Sequence, residues 1–206
     1  PNFDKNEIEK ILQSMQLPSV AIFSGYMADN FNSKTDCFPF YAEEKVRAKI
    51  AAVIKKFNIR ISYSSCTCGS DIIFLEEMLK AGGECYILPP LSLQATIRKY
   101  VDIVPGAEWK KRLIQILKNE NIILYDAECD ELPNCEGDDD KAVVADFNNR
   151  VLFGSAIQKA SSLHFPLYCF AVWNKNLTGV NSATDLAVKL WKSKRLPTII
   201  VTPEIK

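Results

Sequence analysis

The chain has 206 residues, 48% hydrophobic and 24% charged, enough apolar material for a sizeable core and no compositional sign of disorder. Its 25 basic and 25 acidic side chains cancel, which predicts neither a polynucleotide partner nor attraction to an anionic membrane surface. No apolar run approaches the length of a membrane span, and the N-terminus has no basic start followed by an apolar segment, so a cytoplasmic protein is expected.

Seven cysteines, an odd number, are scattered without paired CxxC motifs beside one histidine, His164, which is no zinc framework. The missing initiator methionine and the end at Thr202-Pro203-Glu204-Ile205-Lys206 are expected of a piece of a longer chain.

Asp4 to Met15 places Ile8, Ile11, Leu12 and Met15 on one helical face, so residues 1–17 read as a leading amphipathic helix or a linker. Pro18 breaks it, and Val20 to Phe23 form the first core strand, opening into Ser24-Gly25-Tyr26. In Tyr41 to Phe57, Val46, Ile50, Val53, Ile54 and Phe57 recur at helical spacing, and the charged residues between them, Arg47 included, read as a solvated face.

Ile59 to Leu88 contains a complete βαβ unit. Ile59, Ile61 and Tyr63 form a strand, small residues run from Ser64 to Gly69, and Ile72, Ile73, Leu75, Met78 and Leu79 give a helix face. Ala81-Gly82-Gly83 stop that helix and Cys85 to Leu88 resume as a buried strand ending at Pro89-Pro90. Small residues at a strand-to-helix turn let backbone N–H groups reach an anion, and the helix start at Gly69-Ser70-Asp71 adds the positive end of its dipole. This predicts an anion cradle for phosphate or a ribose hydroxyl, with simple helix capping by Ser70 or Asp71 as the alternative. Cys66 and Cys68, one residue apart, read as small buried thiols, with a redox or nucleophilic role open because a helix N-terminus lowers thiol pKa.

Leu91 to Tyr100 is a short mixed segment, and Trp109, Leu113, Ile116 and Leu117 stripe the next helix, making Trp109 a packing residue. Ile122 to Tyr125 is a strand. The acidic stretch Asp126 to Lys141 has no hydrophobic periodicity; Asp126, Glu128 and Asp130 alternate like calcium ligands, but Glu131 stands where such a loop needs glycine, so no metal is expected. Ala142 to Leu163 reads as a long helix with Val143, Phe147, Val151, Ile157 and Ala160 among its apolar positions and Asn148, Asn149 and Arg150 at its middle. His164 falls at a helix end. Leu167 to Val172 is a strand running into Trp173-Asn174, Ser182 to Asp185 is a capping box opening a helix, and Pro197 to Val201 is the last strand.

Alternating strands and helices predict an α/β fold, a three-layer Rossmann-like domain over residues 18–206 with a mostly parallel central sheet flanked by helices. Ligands of such sheets bind outside the carboxyl ends of the strands, where the strand order reverses. The candidate ligand-binding residues are therefore Ser24, Gly25, Tyr26, Ser65, Thr67, Gly69, Ser70, Asp71, Pro89, Trp173 and Asn174, to which the family resemblance below adds Thr184, with no catalytic residue, metal or cofactor assigned.

The succession SGY, FPFYAEEKVRAKI, SYSSCTCGSDIIFLEEMLKAGGECYILPPLS, EWKKRL, NNRVLFGSA and AVWNKN…ATDLAVKLW resembles a SLOG-like Rossmannoid domain found beside nucleotide cyclases and tetratricopeptide repeats in bacterial signalling proteins. That group is related to the DNA-processing protein DprA and the Lonely-Guy phosphoribohydrolases. The resemblance implies a sensor for a nucleotide or ADP-ribose-type ligand, with contacts at Ser65, Thr67, Gly69 and Asp71, Ser24 and Gly25 lining the pocket, and Asn174 at its rim. It also implies an attached effector domain or a homo-oligomer that reads the signal. Asn181-Ser182-Ala183-Thr184 stands where related domains carry GGT, so only Thr184 carries over, and the PGGxGTxxE pattern with its catalytic glutamate is absent. Two alternatives stand beside the sensor: an N-glycoside hydrolase or transferase using Asp71 or Glu76, and a degenerate scaffold whose pocket is filled by Tyr26, Cys66 or Trp173.

Overall fold

The computed structural model describes residue 4 and residues 17–29, 37–127, 129–130, 138–174 and 182–203. The expected leading helix, Glu128 and Asn181 lie outside them.

The β-branched and aromatic runs form six strands: β1 (Ser19–Gly25), β2 (Ile59–Ser64), β3 (Glu84–Ile87), β4 (Ile122–Leu124), β5 (Leu167–Val172) and β6 (Thr198–Val201). Their order is β4-β3-β2-β1-β5-β6, and every neighbouring pair is parallel. The chain thus steps outward from β1 to β4, then returns to the other side of β1 with β5 and β6. The reversal lies between β1 and β5, whose last residues Gly25 and Val172 are in register.

Connecting helices are α1 (Glu43–Lys56), α2 (Ser70–Lys80), α3 (Leu93–Thr96), α4 (Trp109–Ile116), α5 (Asp138–Leu163) and α6 (Ala183–Ser193). The mixed segment after β3 is α3 running directly into a π-helical turn at Ile97–Val101. Because side chains alternate along a strand, β1 serves two cores. Ala21 and Phe23 pack with α1, α2 and α4 on one face, where Phe23 stacks on Phe74 at 4.0 Å; Val20 and Ile22 pack with Leu152, Ala156 and Ala160 of α5 and with Ala187, Val188 and Trp191 of α6 on the other. These are the three layers expected. No helix among the described residues is long and apolar enough to cross a membrane.

Two expectations are corrected. The charged face of α1 is not simply solvated: Arg47, its side chain 18% exposed, pairs with Glu43, Glu76 and Glu77 at 2.8 Å, and Arg112 bridges Glu43 at 2.9 Å and Glu76 at 2.7 Å. This network ties α1, α2 and α4 together, and Arg112 also covers the ring of Trp109 at 4.2 Å. On α5 the packing stripe is Val144, Leu152, Ala156 and Ala160, whereas Val143, Phe147 and Val151 are exposed, Phe147 by 69%. The helix carries apolar residues on two sides, and the side bearing Leu152, Ala156 and Ala160 meets the sheet.

Candidate functional site

A cleft of about 520 Å³ opens beyond the carboxyl ends of β1 and β2, at the reversal of strand order. Its size is that of a small-ligand site. Ser24, Gly25, Tyr26, Ser65, Thr67, Asp71 and Thr184 line it as expected, while Gly69, Ser70, Pro89, Trp173 and Asn174 do not; Pro90 takes the place of its neighbour. The opposite wall is α5, through Val144, Asn148, Asn149 and Leu152.

The predicted anion cradle does not form as expected, because the protein engages the amides of the bend itself. Thr67 N–H donates to Asp71 Oδ2 at 3.2 Å, Cys68 N–H to Tyr100 O at 2.9 Å, and Ser70 N–H to Tyr26 O at 3.2 Å. Gly69 pairs with Met27 in an isolated antiparallel bridge at φ 94°, and a Cβ there would meet Ala28 N at 2.4 Å. Ser70 donates its hydroxyl to Tyr26 O and packs where a Cβ on Gly25 would lie 2.2 Å from its Oγ. The small residues of the bend serve a close crossing of two backbones. Cys66 and Cys68 are buried within it, and burial pushes the Cys66 thiol far up and the Cys68 thiol up to about 12, the reverse of activation.

This crossing delivers Asp71 to the cleft floor, 3% exposed. Its Oδ2 accepts from the Thr67 hydroxyl at 2.8 Å and from the Thr67 amide; the Gly25 amide is near enough to pull on the carboxyl, but buried Oδ1 makes no hydrogen bond of regular geometry. Ser65 Oγ is buried and unpartnered in the same cleft. Burial pushes the Asp71 carboxyl up from 3.8 to about 6, against the opposing pull of the Thr67 hydroxyl and the Thr67 and Gly25 amides. Native buried polar atoms are nearly all paired, so two orphans facing one cleft mark a place where something else supplies the partner.

At the rim, Tyr26 OH donates to Asn174 O at 3.3 Å, and burial, then the Asp185 carboxylate, push its phenol up to about 12. Trp173 Nε1 donates to Asp185, so the ring is held outside the cleft, beneath Lys192 Nζ at 4.9 Å from its centroid. The capping box forms as read: Asp185 N donates to Ser182 Oγ at 3.2 Å and Ser182 N to Asp185 Oδ2 at 3.1 Å, which sets Thr184 against Ser24, their hydroxyls 3.4 Å apart. None of Tyr26, Cys66 and Trp173 plugs the cleft. Glu76 is turned away from it: although burial alone would raise its carboxyl, Arg112 and Arg47 hold it below the usual range. It gives Asp71 no partner carboxylate. Asp126 Oδ1 accepts from Leu93 N at 2.6 Å and Asp130 from the Ser92 hydroxyl, so both carboxylates organise the start of α3.

Asn148 and Asn149 were not singled out as site residues, although two adjacent asparagines inside a helix are a signal, since asparagine is poor there. Asn149 Nδ2 donates to Ala183 O at 2.8 Å and Asn148 Nδ2 to Leu88 O at 3.3 Å, fixing both amides at the cleft wall.

No protein-family model and no curated protein matches the chain. Among solved structures, it is similar in fold to DNA processing protein A (DprA) from Streptococcus pneumoniae, at 14% identity and a TM-score of 0.40, covering 91% of this chain and 60% of that one. The chain therefore spans less than two thirds of the pneumococcal structure. It is also similar to DNA processing protein A from Helicobacter pylori, at 17% identity and a TM-score of 0.36, covering 91% of this chain and 77% of that one. The Helicobacter pylori protein binds single-stranded DNA. The exclusion of a polynucleotide partner is corrected accordingly: equal totals of acid and base fix the net charge but not its distribution over the surface. The Rossmann-like α/β architecture rests on this chain's own all-parallel six-stranded sheet.

Proposed function

We propose that residues 18–206 act as one SLOG-like ligand-binding module, whose cleft takes the nucleoside part of a nucleotide-derived molecule and whose occupancy is read by an attached effector or a second copy of the chain. The observation that carries this is the pair of unpartnered buried atoms, Asp71 Oδ1 and Ser65 Oγ, at the floor of a cleft lying at the reversal of strand order. Supporting it, the remaining walls are largely apolar, from Phe23, Met27, Ile103, Val144 and Leu152, as suits a flat heterocycle. Calorimetry against nucleosides, nucleotides, cyclic nucleotides and ADP-ribose tests it; binding of at least one is expected, and silence across the panel refutes it.

N-glycoside cleavage is a second reading, favoured by one observation: a cleft carboxyl raised to about 6 is the kind of group that works as an acid or base. Asp29 is the other carboxylate among the described lining residues, and it accepts from the amides of Cys37 at 3.1 Å and Phe38 at 2.8 Å. Release of free base from nucleoside monophosphates establishes this reading; intact nucleotides after prolonged incubation sink it.

A further inference from the structure

Between largely apolar walls and the hydroxyls of Ser24, Ser182 and Thr184, the floor of the cleft presents buried acceptors. Asp71 Oδ1 is an orphan acceptor on a side chain only 3% exposed. The two asparagines add to it: each uses its amide nitrogen on a backbone carbonyl, of Leu88 and of Ala183, which leaves the amide oxygen as the group a ligand would address. Asn149 is itself 7% exposed, so its orientation is locked by burial as well as by its hydrogen bond. Ser65 Oγ is the one orphan able both to donate and to accept.

Donors suited to an anion are scarce by comparison. No lysine or arginine occurs among the described lining residues. The amides of Thr67, Cys68 and Ser70, which would have formed the anion cradle, are engaged by Asp71, Tyr100 and Tyr26. A phosphoryl group at the floor would therefore lie beside a carboxylate with no cation among the described lining residues and with three of the bend's N–H groups already engaged.

Resting on the ligand-binding reading above, we infer that the end of the ligand reaching the floor of this cleft is its donor-bearing end, a hydroxyl or amine edge received by Asp71, Ser65 and the two asparagine oxygens, with any phosphoryl group left at the mouth. The chemistry is that of a nucleoside entered sugar-first or base-first, and the reverse of a phosphate-binding loop.

The experiment is calorimetry at pH 7 and fixed ionic strength with the four common nucleosides and their 5′-monophosphates, on the chain and on its Asp71→Asn and Ser65→Ala forms. The expected result is that the best nucleoside binds within about fivefold of its monophosphate, and that Asp71→Asn and Ser65→Ala each weaken it at least tenfold. Ser65→Ala removes a hydroxyl that has no partner in the folded chain, so its melting temperature should not fall, which keeps loss of binding separate from loss of fold. A monophosphate that binds at least tenfold more tightly than its nucleoside, with affinity unchanged or improved by Asp71→Asn, overturns the inference while leaving the ligand-binding reading intact. Failure of every one of these compounds to bind the unaltered chain overturns the inference, and silence extended to cyclic nucleotides and ADP-ribose overturns the ligand-binding reading as well.

Discussion

Asp71 supplies the sharpest test of the site, because the bend that buries it makes the stability of the whole chain depend on pH in an unusual direction. Burial raises its carboxyl from 3.8 to about 6, so between those values the folded chain keeps a proton that the unfolded chain has released. The folded state then binds more protons, and stability falls as pH rises: this contribution is complete below about 3.8 and gone above about 6. Carried through the linkage relation, it amounts to roughly 2–3 kcal/mol between about pH 4 and pH 7. The neighbouring thiols of Cys66 and Cys68 are pushed upward by burial and stay protonated throughout, so they add no slope of their own. Asp71→Asn keeps the shape and an acceptor for Thr67 but cannot titrate. Denaturant unfolding of both forms at half-unit pH steps should give a difference, unaltered chain minus variant, that declines by roughly 2–3 kcal/mol across the window. Parallel stability curves would refute the burial argument, and with it the view of Asp71 as an ion held without adequate solvation.

Gly69→Ala places a Cβ 2.4 Å from Ala28 N at φ 94° and should destabilise by about 2 kcal/mol or more, whereas Gly154→Ala, in the open on α5, should stabilise by about 0.5–1 kcal/mol; thermal melts of the two distinguish a required glycine from an incidental one. Leu152→Ala should cost about 2–5 kcal/mol and Phe147→Ala about 0.5 kcal/mol or less, and equal effects in urea titrations would mean that the packing face of α5 has been assigned wrongly. Native chain treated with a thiol reagent should be modified at exposed Cys129 and half-buried Cys37 well before Cys66 or Cys68, a ranking that peptide mapping reads directly.

What the sequence made legible was mainly local. Six strands announce themselves as short β-branched and aromatic runs, and the capping box at Ser182 needs only four residues to be seen. Ser24, Gly25, Tyr26, Ser65, Thr67 and Asp71 were reachable because the carboxyl ends of parallel strands must gather at one edge of the sheet. The failures share a different cause. Gly69 is required because the backbone at Tyr26–Ala28 crosses it, a neighbour about forty positions away that leaves no mark inside the motif itself. Arg47 looks solvated on α1 alone and becomes half-buried only when α2 and α4 bring Glu76, Glu77 and Arg112 alongside. On α5 Val143, Phe147 and Val151 keep helical spacing as faithfully as Val144, Leu152, Ala156 and Ala160, which pack, so periodicity finds two stripes and cannot rank them.

The position of Asp71 sets two physical effects against each other, and their balance says what the cleft is suited to do. A carboxylate in the first turn of a helix is ordinarily stabilised by the helix dipole, by about 0.3–1 kcal/mol at an exposed site, which would lower its pKa. Here burial pushes the carboxyl upward, so desolvation exceeds the Thr67 and Gly25 hydrogen-bond donors combined. The folded chain at neutral pH thus carries an ion whose Oδ1 lacks a partner, at a cost of roughly 3 kcal/mol relative to the unfolded chain. A ligand that brings a donor to that oxygen recovers part of this cost on binding. Recovery of the whole is worth about two orders of magnitude in affinity, with no other contact changed. A phosphate group placed there would instead add a second unsolvated anion. If the cleft takes a donor-bearing ligand as inferred above, affinity should strengthen as pH rises through about 6 and the carboxylate forms.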